Sequence, residues 1–190
     1  MGARGLTFKP VTKATRADFE ALFDGPGGSK YCWCMVWRAT SDEGRGTSGE
    51  VRKRQMLSRI DRKVPVGLIG YAEGQPVAWV SIAPNQTYRR LGGPEPEADK
   101  KVWSLARMYL RRQFRGRGLA HELIGAAIDQ ARKRGADVVE AYPVAPDAPS
   151  YRFMGFVPAF EEAGFEEIGM AGTRRHVMRL TLHSGSAAKG

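Results

Sequence analysis

A six-residue turn between a strand pattern and a helix pattern is the feature that most restricts the fold of this chain. Residues 102–110 have the apolar character of a strand, and residues 119–134 repeat apolar side chains at the helical period. Between them lie Gln113, Phe114, Arg115, Gly116, Arg117 and Gly118. The first N–H groups of a helix have no partner within the helix, and the helix dipole favours an anion there. This basic, glycine-containing turn therefore predicts a phosphate site, in which Gly116 would allow close approach of a ligand and Gly118 close packing of the helix on the strand.

Known phosphate motifs do not account for this turn. A Walker loop would need Gly-Lys-Ser or Gly-Lys-Thr, and the dinucleotide fingerprint G-x-G-x-x-G would need a third glycine. A plain basic turn from strand to helix stays open as an alternative. The binding site is favoured by the flanking pattern, because residues 138–144 form a short apolar run that is typical of a buried strand. Strand, turn, helix and strand make one crossover unit, which predicts two parallel strands with a right-handed connection.

Length and composition are those of a single globular domain. The chain has 190 residues, of which 42% are hydrophobic. We expect the domain to span residues 1–183 and residues 184–190 to form a disordered polar tail. There is no run of about eighteen apolar residues and no apolar leader, so the predicted location is cytoplasmic with no membrane partner.

The net charge of +10 attracts anions and leaves two classes of partner open. One is a polyphosphate cofactor, which is favoured by four arginines at the turn: Arg111, Arg112, Arg115 and Arg117. The other is nucleic acid, for which residues 52–63 supply a second basic cluster, although a solvated helix face explains that cluster as well. No helix-turn-helix or RNA-binding signature accompanies it, so nucleic acid is disfavoured.

The two cysteines, Cys32 and Cys34, are too few for a disulfide framework. The three histidines show no metal-ligand spacing to them, so no metal is predicted. The favoured interpretation is two reduced cysteines packed among aromatic side chains.

With its turn, the segment of residues 102–144 resembles the core of the GNAT superfamily of acetyl-CoA-dependent N-acetyltransferases. The family signature, Gln/Arg-x-x-Gly-x-Gly/Ala between the fourth strand and the third helix, is matched at every fixed position by QFRGRG. A second segment, AFEEAGF at residues 159–165, is similar to the late helix-to-strand junction of the family. The resemblance covers roughly residues 66–182. It implies an α/β (α+β) fold with a central mixed, mostly antiparallel sheet, a splayed parallel strand pair, and helices on both faces.

The resemblance also implies where acetyl-CoA, the expected co-substrate, would bind. In the family, backbone amides of the signature turn hold the pyrophosphate, and the fourth strand pairs with the pantetheine arm. The matching cofactor-binding residues here are Met108, Tyr109, Leu110, Gln113, Phe114, Arg115, Gly116, Arg117, Gly118, Leu119 and Ala120. The implied reaction is direct attack of a primary amine on the thioester in a ternary complex, with the carbonyl polarised by the amide of Met108 or Tyr109 and no covalent intermediate.

Two positions depart from the family pattern. Many members carry a Tyr on the late helix as general acid, and the matching residue here is Phe160. Tyr151 is the catalytic substitute that we predict, with a partly buried structural aromatic as the alternative. Residues 101–105 lack the carboxylate that some members use as base, which leaves Glu140 as the catalytic candidate if it faces the cleft. A water chain or bulk solvent is the alternative base.

The acceptor side is expected around residues 31–38, because the first two helices and their loop line that side in the family. Trp33, Trp37 and Arg38 are the candidate substrate-binding residues, since aromatic walls and a guanidinium suit an apolar or carboxylate-bearing amine. A purely structural role in the core is the alternative. The predicted partner is a small-molecule or peptide amine, and a homodimer is left open. The competing functions are a non-catalytic acyl-CoA-binding module and a basic nucleic-acid-binding protein.

Overall fold

A seven-stranded sheet forms the centre of the computed structural model, which describes residues 5–45 and 48–182. The predicted tail of residues 184–190 and the predicted domain end at residue 183 lie outside these residues. In chain order the strands are β1 (Thr7–Pro10), β2 (Leu68–Ala72), β3 (Gln75–Pro84), β4 (Val102–Leu110), β5 (Val138–Ala141), β6 (Glu166–Ala171) and β7 (Arg175–Thr181). Their order across the sheet is β1-β2-β3-β4-β5-β7-β6.

Four helices cover the two faces of the sheet. They are α1 (Arg16–Asp24), α2 (Gly49–Asp61), α3 (Leu119–Lys133) and α4 (Val157–Glu162). The buried residues of α1 and α2, such as Phe19 and Met56, share one core cluster, whereas Leu123 of α3 and Phe160 of α4 belong to another. Among the described strands, β4 and β5 are parallel and every other neighbouring pair is antiparallel. The predicted fold class is therefore confirmed.

The sequence favours Thr15 as the N-cap of α1, with Asp18 three residues after it, but the observed hydrogen bonds are not those of a capping box. Thr15 is the N-cap, but its side chain makes no cap bond. Its Oγ1 instead donates to the carbonyl of Pro10 at 2.8 Å and accepts from the N–H of Thr12 at 2.9 Å. Asp18 does not close a capping box either, because its Oδ2 accepts from the hydroxyl of Tyr71 at 2.8 Å. A short 3₁₀ turn before α1 redirects the hydroxyl, so the sequence predicts the helix start but not its bonds.

The parallel pair separates after four residues. The register joins Val102 to Val138 and ends where Leu105 faces Ala141. β4 continues to Leu110, whereas β5 ends at Ala141 and the chain leaves the edge of β4. The gap between the diverging strands places the candidate site.

Candidate active site

A cleft of about 620 Å³ occupies the gap between β4 and the chain that follows β5. Its walls come from the end of β4, the turn of residues 113–118, the first turn of α3, and part of residues 152–159. The two segments singled out in the sequence, QFRGRG and AFEEAGF, thus meet or adjoin the same cavity.

The free edge of β4 presents backbone groups to this cleft. The N–H of Arg111 donates to the carbonyl of Val77 at 2.9 Å, and β3 and β4 keep one antiparallel register from there to Arg107. In such a pair, the polar backbone groups of successive residues point alternately toward the partner strand and away from it. Tyr109 therefore bonds toward β3, while Met108 and Leu110 point toward the cleft. An extended ligand can pair with this edge as an added strand.

Two glycines in the left-handed conformation shape the turn into α3. Gly116 and Gly118 each have φ +73°, and Gly118 is the N-cap of α3. A Cβ at either position would meet nothing within 4 Å, so the backbone angle requires glycine and the available space does not. This corrects the prediction that Gly118 allows close packing of helix on strand. Leu119 and Ala120 line the cleft, so the first turn of α3 and its unpaired N–H groups border it.

Eight predicted cofactor-binding residues line the cleft: Met108, Tyr109, Leu110, Arg115, Gly116, Gly118, Leu119 and Ala120. Gln113, Phe114 and Arg117 do not; Phe114 packs on the core, and the guanidinium of Arg117 lies 5.4 Å from its ring centroid. Arg115 is anchored by a 2.9 Å bond from Nε to the carbonyl of Leu110. Within the described residues, no carboxylate lies within 4.0 Å of an arginine of this turn. Its positive charge is available to an anionic ligand.

Phe160 supports the cleft wall from behind. Its side chain is fully buried, and its ring meets that of Phe165 edge-on with centroids 5.2 Å apart. Gly155 separates it from Met108: a Cβ at Gly155 would lie 2.8 Å from Phe160 Cε2 and 2.5 Å from Met108 Cε. The position that carries the family's general acid is therefore filled by a core side chain with no proton to donate.

Glu140 lies buried on β5 with both carboxylate oxygens occupied. Oε1 accepts from the hydroxyl of Tyr142 at 2.5 Å, and Oε2 accepts from Nε of Arg179 at 2.6 Å. Burial, followed by the charge of Glu140, raises the pKa of Tyr142. Glu140 does not line the cleft. Its place is an ion pair within the sheet, and the geometry offers no free oxygen of Glu140 to an incoming amine.

Two of the three predicted acceptor residues lie in the core. Trp33 is 1% exposed and stacks on Phe23 with ring centroids 5.0 Å apart. Arg38 is 4% exposed, and its Nη2 donates to Ser81 Oγ at 2.8 Å and to the hydroxyl of Tyr88 at 2.9 Å. The structural alternative fits both side chains, because neither lines the cleft.

An aromatic strip leads away from the cleft, and we define it as Phe153, Tyr151 and Trp37. Phe153 lines the cleft, and its ring centroid is 6.2 Å from that of Tyr151, which lies 6.4 Å from that of Trp37. The guanidinium of Arg107 lies 4.8 Å from the centroid of Phe153. At the other end, the guanidinium of Arg175 lies 4.7 Å from Trp37 and 5.4 Å from Tyr151. Trp37 and Tyr151 are thus close to the cleft without lining it.

Sequence reasoning missed Arg107, Phe153 and Arg175. They come from β4, the loop before α4, and β7, and no local pattern connects these segments. One signal was available: Arg107 is the single charged residue in the otherwise apolar run VWSLARMYL. A charge there must find a polar partner or face a cavity.

Cys32 lies beside the strip and contacts Arg107. Arg107 donates from Nη1 to Cys32 Sγ at 3.6 Å and from Nη2 to Ser29 Oγ at 2.6 Å. Hydrogen bonding from Cys34, assisted by the charge of Arg107, lowers the pKa of Cys32 to about 5. Burial raises the pKa of Cys34 well above its ordinary value. Both cysteines are free, as predicted, but only Cys32 combines partial exposure with a stabilised thiolate.

A second cavity of about 500 Å³ lies at the opposite end of β4 and α3. Thr12, Ile60, Trp103 and Arg134 are among its lining residues, and it shares none with the cleft. The glycine turn and the free edge of β4 both belong to the cleft, which is therefore the candidate active site.

Residues 5–45 and 48–182 contain neither a cluster of metal ligands nor a membrane-spanning helix. No group of three or more His, Cys, Asp or Glu side chains there could hold a metal ion. None of the helices described has the length and apolar character needed to cross a membrane.

Comparison with known proteins agrees with this geometry. A sequence model of the acetyltransferase (GNAT) family matches residues 33–156. No curated protein matches the sequence. Among solved structures, ribosomal-protein-alanine N-acetyltransferase from Brucella melitensis is 23% identical, with a TM-score of 0.56 over 93% of this chain and 100% of its own. AAC(6')-Ib in complex with paromomycin and acetyl-CoA is 16% identical, with a TM-score of 0.62 over 98% of this chain and 99% of its own. PaiA N-acetyltransferase from Thermoplasma acidophilum, solved with coenzyme A, is 11% identical, with a TM-score of 0.52 over 94% and 100%. At these identities the structural likeness concerns the fold.

Proposed function

Since the chain belongs to the acetyltransferase (GNAT) family, whose members use acetyl-CoA as co-substrate, we propose that it transfers an acetyl group from acetyl-CoA to a primary amine. The observation that carries this proposal is the unpaired edge of β4, which faces a cleft ending at the N-terminus of α3. That cleft offers strand pairing at one end and anion binding at the other, as an extended arm joined to a pyrophosphate requires.

The register of β4 assigns separate roles to neighbouring backbone groups in this proposal. Met108 and Leu110 would pair with the pantetheine arm, because their polar groups point to the cleft. The N–H groups from Gly116 to Ala120 would hold the pyrophosphate, with Arg115 adding charge. Of the two amides predicted to polarise the thioester carbonyl, the register favours Met108 over Tyr109, whose amide is directed to β3.

The proposed reaction is a direct displacement in a ternary complex. The neutral amine attacks the thioester carbon and forms the C–N bond of a tetrahedral intermediate, which collapses as the C–S bond breaks. One proton leaves the ammonium before attack; a second leaves the nitrogen after attack, and the CoA thiolate takes up one proton. Tyr151 is the proton donor suggested by the sequence, but its ring is one aromatic neighbour away from the cleft, so we propose that water carries this proton and that the hydroxyl of Tyr151 contributes little. We propose water as the base, since both oxygens of Glu140 are occupied.

The test is release of free thiol from acetyl-CoA over a panel of amines, with the acetylated product identified by mass spectrometry. We expect amine-dependent release and no acetyl adduct on Cys32 when enzyme and acetyl-CoA are mixed without acceptor. A stable, kinetically competent acetyl-Cys32 would replace direct attack by a two-step transfer. The absence of thiol release with every amine would remove the enzymatic assignment.

A second candidate function is a non-catalytic acyl-CoA-binding module. It is favoured by one observation, the fully buried Phe160 at the position of the family's general acid. The same assay decides between them when coenzyme A binding is measured alongside. Tight binding without thiol release would favour the module, whereas turnover with any amine would exclude it.

The nucleic-acid alternative gains no support from the basic cluster of residues 52–63. Within it, Arg59 pairs with Glu43 at 2.7 Å, and Lys53 pairs with Asp24 at 2.5 Å. These bonds neutralise part of the charge that a phosphate backbone would need.

A further inference from the structure

Arg175 occupies an unusual place for a cation. It is half-buried at the start of β7, with its guanidinium stacked against Trp37 and Tyr151. One bond anchors it, from Nη1 to the carbonyl of Leu91 at 2.7 Å. Burial lowers its pKa, which shows that the surroundings disfavour the charge that an arginine nonetheless keeps.

Two other arginines of low exposure have acidic partners, whereas the enclosed Arg38 bonds to the hydroxyls of Ser81 and Tyr88 instead. Arg59, which is 6% exposed, pairs with Glu43 at 2.7 Å, and the partly buried Arg179 pairs with Glu140 at 2.6 Å. In the described part of the chain, Arg175 has no carboxylate within 4.0 Å. A half-buried guanidinium that bonds only to a carbonyl retains donors for an anion.

The charges near Arg175 also favour the binding of an anion. Arg107 bonds to Cys32 and Ser29, Arg152 to the carbonyls of Pro146 and Ala148, and Arg174 to the hydroxyl of Ser150. Among the described residues, none of these three arginines has a carboxylate partner either. Asp147, in the same loop as Arg152, is exposed and forms no ion pair with any described residue. The field around the aromatic strip is therefore positive, which attracts anions and repels polycations.

We propose that the acceptor is an amine that also carries a carboxylate, which Arg175 binds while the apolar part of the acceptor lies on the aromatic strip. The proposal rests on the proposed function, because it assigns the acceptor of that reaction. A planar guanidinium binds a carboxylate through two parallel bonds, and Trp37 and Tyr151 hold its plane in position. The strip leads from Arg175 to Phe153 at the cleft, so an acceptor bound there directs its amine toward Met108.

The first experiment compares acceptors that differ only in the carboxylate. The acceptors are long enough to span the strip: ε-aminocaproate is paired with ε-aminocaproamide, and the tripeptide Gly-Gly-Phe with its C-terminal amide. Spermidine and paromomycin represent polycations. We expect at least one carboxylate to have a kcat/KM about tenfold or more above that of its amide, and both polycations to be poor acceptors. Equal or better turnover of the amides or the polycations would overturn the proposal.

The second experiment removes the cation. Arg175→Gln should raise KM for the carboxylate acceptor by about 10- to 100-fold, with little change for the matched amide. Arg174→Gln is the matched control, because Arg174 is exposed and bonds only to Ser150. Arg175→Lys should restore part of the affinity. An equal effect of Arg175→Gln on acid and amide would indicate a merely structural role and contradict the proposal.

A binding measurement separates failure of this proposal from failure of the proposed function. The two carboxylate acceptors, ε-aminocaproate and Gly-Gly-Phe, are titrated calorimetrically into the protein saturated with coenzyme A, for wild type and Arg175→Gln. Binding that depends on Arg175, without thiol release in the assay, would leave the anion site standing and remove the enzyme. Thiol release with other amines, without binding that depends on Arg175, would leave the enzymatic function standing and remove the anion site. If no carboxylate acceptor binds and none supports thiol release, the proposal is overturned.

Discussion

The proposed cofactor wall of the cleft and the proposed acceptor wall, which continues beyond the cleft along the aromatic strip, are built in different ways. The cofactor wall comes from one continuous stretch, residues 108–120, and it offers mainly backbone groups: the free edge of β4 and the start of α3. The acceptor side is assembled from side chains of separate segments, with Cys32 and Trp37 before α2, Arg107 on β4, Phe153 before α4, and Arg175 on β7.

This difference explains which wall tolerates change. A backbone edge needs its register and its two left-handed glycines but few particular side chains, so many sequences can build the same cofactor wall. A side-chain wall can be exchanged residue by residue without disturbing the sheet. We therefore expect substitutions in the first wall to affect every acceptor alike, and substitutions in the second to alter acceptor choice.

The largest effect is expected on the cofactor wall. Gly116→Glu puts a side chain on a φ of +73° and a negative charge where the pyrophosphate would lie. Coenzyme A affinity measured by calorimetry should fall by at least about 100-fold, because like charges in contact cost several kcal/mol. Gly135→Glu is the matched control, since Gly135 has φ +76°, equally open space, and a place at the far end of α3. Both variants should lose about 1–2 kcal/mol of stability; equal loss of coenzyme A binding would contradict the assignment.

The second-largest effects are expected for Arg38 and Trp37, and they decide which of the two belongs to the acceptor wall. Arg38→Ala should lower the free energy of unfolding by about 2–4 kcal/mol, because Ser81 and Tyr88 lose a buried charged donor. Acceptor KM should stay close to that of wild type. Trp37→Ala should raise acceptor KM, because Trp37 lies on the strip, and should lose less stability than Arg38→Ala. A rise in acceptor KM for Arg38→Ala in a protein that is still folded would return Arg38 to the acceptor wall.

Cys32 supplies a pH-dependent test of the acceptor wall. With a pKa lowered to about 5, its thiolate should react with iodoacetamide with a midpoint near pH 5, while Cys34 stays unreactive. An ordinary cysteine has a pKa of 9.0, which is the value expected for Cys32 in the unfolded chain. The stability that the folded protein gains from the Cys32 thiolate is therefore complete above about pH 9 and is lost as the pH falls through about 5. Arg107→Gln should move the alkylation midpoint upward. A midpoint near pH 9 in the folded protein would show that Cys34 and Arg107 do not stabilise the thiolate.

The smallest effect is expected for Tyr151→Phe. The ring keeps its contacts with Trp37 and Phe153, so acceptor KM should change little. If the hydroxyl protonates the CoA thiolate, kcat falls by about 100-fold or more, which is the usual contribution of a positioned acid. Because Tyr151 does not line the cleft, we expect a decrease of less than about tenfold. Steady-state rates with saturating acetyl-CoA distinguish these outcomes.

Local patterns in the sequence predicted most of the fold. β4 and the start of α3 were predicted at the observed residues, because apolar periodicity and a glycine turn act over a few neighbouring positions. The bonds of Thr15 were not predicted and the predicted reason for Gly118 was wrong, since each depends on a neighbour or a backbone angle. Among the acceptor candidates, Trp33 and Trp37 share one segment of alternating aromatics, and only tertiary packing separates the core residue from the one on the strip.

The amino-acid sequence by itself determined the crossover unit and the glycine turn before α3, because both follow from hydrogen-bonding and steric rules that hold within a dozen residues. Only the tertiary structure decided that Arg38 is enclosed and that Arg175 is the arginine facing the aromatic strip. The reason is physical: whether a guanidinium is solvated, paired or left for a ligand depends on groups that chain connectivity does not bring together. For Arg175 these groups come from Leu91, Trp37 and Tyr151, each more than twenty residues away along the chain.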